Sequence, residues 1–302
     1  MSRSGNTNRL AKKIRSQTSL KLSTASRLAQ QVHTYLGPPI PDAEDQPQRR
    51  LEAYCAHVLA RRFQDGQLNG ALLGVVEARP TARQLELVLE PAMADSVIYE
   101  LLPRFDKHYG GIRGVPGLRP RRRQGQLVLR DSFGPAHLIA SRADRKPLHL
   151  PAPRDGETRL WKARGRLSRD EKREAREWDT SIPHIVDAPV RDVLLSRILR
   201  RPALVNRAAQ PHGFANCYTH HEGDLVIEWC CGDTVEAFCA TLLAHDFAQG
   251  LPRDEAIKLL SAHMARLGGH TLILRRHPSC QYGKGPFSAQ EIAEHIREGY
   301  AL

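Results

Sequence analysis

The chain has 302 residues, 41% of them hydrophobic, a length and composition that suit two compact folded regions. No apolar run approaches the roughly 18–20 residues that cross a bilayer, and the basic N-terminus lacks the apolar core of a secretory signal, so no membrane partner is expected and the cytoplasm is the expected location. Lysine and arginine outnumber aspartate and glutamate 45 to 33, an excess that points to a polyanionic partner.

The excess is uneven. Residues 1–210 hold 38 Lys/Arg against 22 Asp/Glu, whereas residues 211–302 hold 7 against 11. The first acidic residue is Asp42, and Arg3, Arg9, Lys12, Lys13, Arg15, Lys21 and Arg27 all precede it.

Residues 1–36 read as a basic helical pair. One helix spans about 8–16, with Leu10 and Ile14 inward. The second follows Ser23 as N-cap, with Ala25, Leu28, Ala29 and Val32 on one stripe. The outline is that of a helix-turn-helix, although the six-residue connection is longer than usual. Helix 49–65 is the only candidate third helix. Arg27, Gln30 and Gln31 suit base edges, and Lys12, Lys13 and Lys21 suit phosphates. Residues 37–48 are rich in proline and read as a stiff linker.

Residues 49–141 read as a small α+β domain: a helix at 49–65, strands at 71–78 and 84–90, a helix at 93–102, then strands at 126–131 and 136–141. Residues 105–125 lack periodicity and read as a glycine- and arginine-rich loop. Arg113, Arg119, Arg121, Arg122 and Arg123 are its candidate phosphate contacts, with Tyr109 as a stacking platform. Residues 142–210 read as a charged linker with helices at 168–178, capped by Ser168, and 189–200. The second of these has Val193, Leu194 and Ile198 inward and Arg191, Arg197, Arg200 and Arg201 outward. Arg200 and Arg201 join the phosphate candidates.

Residues 211–302 read as an acidic α+β domain with the order β-β-α-α-β-α. It contains a hairpin at 213–219 and 225–231, a helix from Asp233 or Thr234 to Gln249 buried through Val235, Phe238, Cys239, Leu242, Leu243 and Phe247, and a helix from Pro252 to Gly268. A strand at 270–275 and a helix opened by the Ser288-x-x-Glu291 capping box complete it. The expected class is therefore α+β: a basic N-terminal helical pair followed by two small mixed α+β domains. No internal repeat is visible.

Five of the six cysteines lie in this last region. Cys55 and Cys239 sit on apolar helix faces and read as core residues. Cys217-x-x-His220 and His277-x-x-Cys280 have the spacing of two zinc-ligand pairs. The same residues admit a nucleophilic reading, with Cys280 ahead of a helix N-terminus, His277, His220 or His221 as base and Glu222 or Asp224 behind it. Gly283-Lys284-Gly285 suits a phosphate, although Pro286 removes an amide donor. Dinucleotide, nucleophile-elbow, zinc-helix and EF-hand motifs are absent. The sequence therefore calls for no cofactor, with zinc as the alternative. The expected function is nucleic-acid binding in an accessory or regulatory role. The alternatives are a protein-interaction or immunity-type module, and an enzyme with a Cys/His site.

Overall fold

The computed structural model describes residues 3–32, 40–62, 71–162, 166–180, 188–206, 215–219, 225–229, 232–251, 257–269 and 271–276. The class is α+β. Helices α1 (Arg3–Thr18) and α2 (Leu22–Val32) form the N-terminal pair. Ala11, Ile14, Leu20, Ala25 and Ala29 seal it as a small separate cluster. Three residues join the helices, not six, and Ser19 takes the left-handed conformation that a glycine would often supply. Ser23 therefore lies inside the first turn of α2 rather than at its cap.

Helix α3 (Gln46–Arg62) leads into the antiparallel hairpin β1 (Val75–Pro80) and β2 (Leu85–Leu89), then α4 (Ala94–Leu101). The stretch 105–125 is not a loop. It contributes to β3 (Arg104–Asp106), β4 (Gly111–Arg113) and β5 (Leu118–Arg123), and β5 pairs with β6 (Gln126–Asp131). Strand β7 (His137–Arg142) closes a five-stranded sheet in the order β1-β2-β7-β6-β5, parallel only between β2 and β7. A three-stranded sheet joins β4, β3 and β8 (Glu157–Arg159). Helix α5 (Arg169–Thr180) starts with a capping box: Ser168 Oγ accepts from Glu171 N, and the Glu171 carboxylate accepts from Ser168 N, both at 3.0 Å.

Helices α6 (Ala188–Arg200) and α7 (Pro202–Asn206) lead to the antiparallel hairpin β9 (Ala215–Tyr218) and β10 (Leu225–Trp229). Helix α8 (Val235–Ala244) follows, capped by Thr234 Oγ1 on Ala237 N. Its Leu243 is 54% exposed rather than buried. The helix expected up to Gly268 is instead the hairpin β11 (Lys258–Ser261) and β12 (Met264–Leu267). With β13 (Leu272–Arg276) these strands complete a second five-stranded sheet, order β11-β12-β13-β10-β9.

The two sheets have the same construction. Each follows a helix, opens with a hairpin, crosses through a helix and closes with a three-strand meander whose last strand lies parallel to the second. Leu85, Leu87 and Leu89 oppose Leu138, Ala140 and Arg142; Leu225, Ile227 and Trp229 oppose Leu272, Leu274 and Arg276. Both leading helices carry proline in their first turn, at Pro47 and Pro189, where it removes no intrahelical bond. Gly134 and Gly268, each in the turn before a last strand, face Pro47 of α3 and Val190 and Leu194 of α6 respectively.

The helices pair with each other, α3 reaches β9 and α6 reaches β1. Such reciprocal contact marks a two-fold-like arrangement. One continuous apolar cluster, from Leu51 to Leu274, runs through both units. The repeat escapes the eye in sequence because unit one carries β3, β4, β8 and α5 as additions.

Candidate nucleic-acid interface

The helical pair is anchored, not an arm. α1 packs on α7 and β1, which take the place expected of helix 49–65. Lys13 Nζ lies 3.2 Å from Asp246 Oδ2, so it is tied to the body. Lys12, Arg15, Lys21, Arg27 and Gln30 are exposed. Ser23, Arg27 and Gln30 share one face of α2 at helical spacing. Gln31 lies on the same helix.

Strand β5 is the edge of its sheet, and the two residues that turn it into β6, Gln124 and Gly125, both have positive φ, as a tight hairpin turn requires. Arg121, Arg122 and Arg123 are therefore held on an ordered edge, exposed, and without an ion pair or hydrogen bond to any described residue. Arg119 differs. It donates to Glu171 from Nη1 at 2.8 Å and Nη2 at 3.1 Å. Burial pushes the Glu171 pKa up, but Arg119 and the amides of Ser168 and Gly117 outweigh it and hold the carboxyl below its usual value. Arg113 stacks over Tyr109 at 3.9 Å and pairs with Asp106, so one face of that ring is already covered. Arg130, exposed on β6 and opposite Arg119, is a cation that sequence reasoning missed. The alternation of 127–131 around two inward leucines was the available signal.

The four arginines expected to point outward from the 189–200 helix are buried. Arg191 lies 3.7 Å over the Trp178 ring, which stacks on Tyr54, and donates to Asp192. Arg197 donates to both Asp42 oxygens and to the carbonyls of Phe247 and Gln249. Arg200 pairs with Glu52. Arg201 donates to the Ile40 carbonyl and to Asp42, while its Nε and Nη1 find no acceptor among the described residues. Burial, with Arg197 and Arg200 adding repulsion, pushes its pKa down to about 10. None of these groups is available to a phosphate. Their partners also hold residues 40–48, read in sequence as a spacer, against the body: Ile40 and Ala43 are buried and Asp42 takes two guanidinium groups.

α1 contacts β1, and β1 and β5 are the two edge strands of one sheet.

No family model, curated protein or solved structure matches this chain. The site therefore rests on its own chemistry. Cys217 is buried in β9, and burial pushes its thiol pKa up; burial does the same to Cys55 and Cys239. Thiols so placed are poor nucleophiles. His220, His277 and Cys280 lie outside the described residues, as do His221, Glu222, Asp224 and Lys284. Among the described residues no group of three or more His, Cys, Asp or Glu is placed to hold a metal ion, and no helix is long and apolar enough to cross a membrane.

Proposed function

We propose that this chain binds nucleic acid through phosphate contacts from the helical pair and the β5 edge, in an accessory or regulatory role. The observation that carries this reading is the sorting of cations. Interior arginines meet carboxylates or carbonyls: Arg104, Arg191, Arg197, Arg200 and Arg201. Lys12, Lys21 and Arg27 on the helical pair, and Arg121, Arg122 and Arg123 on the edge strand, are exposed and have no such acceptor among the described residues. Charged side chains do protect edge strands from unwanted pairing. That role accounts for β5 but not for the exposed cations of the helical pair.

The test is binding to labelled duplex DNA, single-stranded DNA and RNA across a salt series. The full-length protein is compared with Arg121→Ala/Arg122→Ala/Arg123→Ala. Tight binding with a steep salt slope is expected, and the triple variant should flatten the slope by about one for each phosphate that is no longer neutralised. Failure of the full-length protein to bind any of the three at physiological salt would overturn the reading.

A further inference from the structure

The two units share a charge polarity as well as a strand order. Residues 75–102, the first hairpin and its helix, hold five Asp/Glu against two Lys/Arg, and the corresponding residues 215–251 hold six against none. The meanders are the reverse. Residues 118–142 hold six arginines against one aspartate, and residues 257–276 hold four Lys/Arg with no acidic residue. The net acidity of the C-terminal third therefore conceals a basic meander.

One cation occupies the same place in both meanders, Arg121 in β5 and Lys258 in β11, while Arg266 stands where β6 has Val128. Arg121 opposes Val128, which opposes Ile139. Lys258 opposes Arg266, which opposes Ile273. Because Leu138 and Leu272 hold the same register against the second strands, Ile139 and Ile273 are equivalent. The two rows are then the same row of each sheet. They lie on the face opposite the core, since Leu127, Leu129, Ala265 and Leu267 take the inward positions. Arg275, exposed on β13, flanks the second row.

We infer that the meander β11–β12–β13 is a second phosphate-binding surface, related by the internal two-fold to β5–β6–β7, and that the ligand is a nucleic-acid duplex. A duplex carries two backbones related by local dyads, and proteins with two-fold symmetry match them with equivalent elements. A single strand offers no such pair. The inference rests on the nucleic-acid reading above and adds to it the class of ligand and a site in the acidic part of the chain.

Two full-length variants test it: Arg121→Ala/Arg123→Ala in the first meander and Lys258→Ala/Arg275→Ala in the second. All four residues are exposed, and thermal melting confirms that each variant remains folded. Binding is measured to a DNA duplex and to one of its separated strands over a salt series. Both variants should weaken duplex binding, each lowering the salt slope by about two, and wild type should prefer the duplex. If only the first-meander variant loses affinity, the second surface is wrong and the nucleic-acid reading stands. Equal or tighter binding of the single strand overturns the duplex assignment. If wild type binds neither, both readings fall together.

Discussion

The Glu52 carboxylate of α3 receives the guanidinium of Arg200 from α6 through two hydrogen bonds of 2.7 Å, and neither side chain is reached by solvent. The pair is fully satisfied. Glu52 also accepts from Ser196 Oγ and Gln48 Nε2, and Arg200 Nη1 donates to the carbonyls of Pro41 and Thr81. It thus joins both leading helices to the segment before α3 and to the β1–β2 turn.

Breaking this pair leaves a buried charge without its counter-ion. Glu52→Ala is expected to cost about 3–5 kcal/mol in urea unfolding. Glu52→Leu/Arg200→Leu should cost much less than the two single changes added together. Additive losses would show that the two charges do not depend on each other.

The two turns that face the leading helices should respond differently to a methyl group. At Gly268, with φ of +59°, an added Cβ would meet Leu194 Cδ1 at 2.5 Å and Val190 Cγ1 at 2.6 Å. Gly134 has ordinary backbone and its nearest neighbour would be Pro47 Cβ at 3.7 Å. Gly268→Ala should therefore destabilise by about 1–3 kcal/mol, from left-handed backbone and overpacking together. Gly134→Ala should stay near neutral. Equal melting temperatures for the two variants would contradict this packing.

His57 supplies a pH dependence. Its ring lies 4.9 Å from that of Trp178, and burial, then the charges of Arg61 and Arg191, push its pKa from 6.5 down to about 3. As pH falls below 6.5 the unfolded chain takes up a proton that the native state refuses, so stability is full above that value and declines with acidification. Between pH 7 and pH 5 the loss should be about 2 kcal/mol. The depressed carboxylates Asp42, Glu157 and Glu171 act mainly below this window, whereas Asp131, Glu174 and Asp192, raised by burial, oppose the His57 slope as pH falls. In His57→Gln the loss between pH 7 and pH 5 should shrink by about 2 kcal/mol. An unchanged pH dependence would assign it to another group.

Gln30 of α2 and Lys12 of α1 separate base reading from phosphate holding. Gln30→Ala should relax preference at one base pair, by about 1–3 kcal/mol, if α2 enters a groove. Lys12→Ala should weaken all sequences alike and reduce the salt slope by about one. Uniform weakening from both would confine α2 to the backbone.

Local signals carried far in this sequence. The alternation of Leu85, Leu87 and Leu89 marks β2, and Ser168 with Glu171 marks the start of α5. These rest on neighbours along the chain. What was not legible depended on distant partners. Arg197, Arg200 and Arg201 look like a solvated helix face until Asp42 and Glu52, far upstream, are brought to meet them. Arg119 and Arg121 are equivalent by pattern, and only Glu171 on α5 distinguishes them. Residues 258–267 read as helix in sequence because their short apolar runs fit that period too, whereas the pairing of β11 with β12 and of β12 with β13 makes them strands. The duplication was obscured for the same reason: a leucine in the right register is common, whereas the register itself is visible only in the sheet.

The buried ion pairs between the units also impose an order on biosynthesis. Asp42 and Glu52 leave the ribosome well before Arg197 and Arg200, which neutralise them. At typical elongation rates the interval is on the order of ten seconds. During it Asp42 and Glu52 lack the guanidinium groups that neutralise them in the folded protein, so the packing around α3 is completed only after α6 emerges.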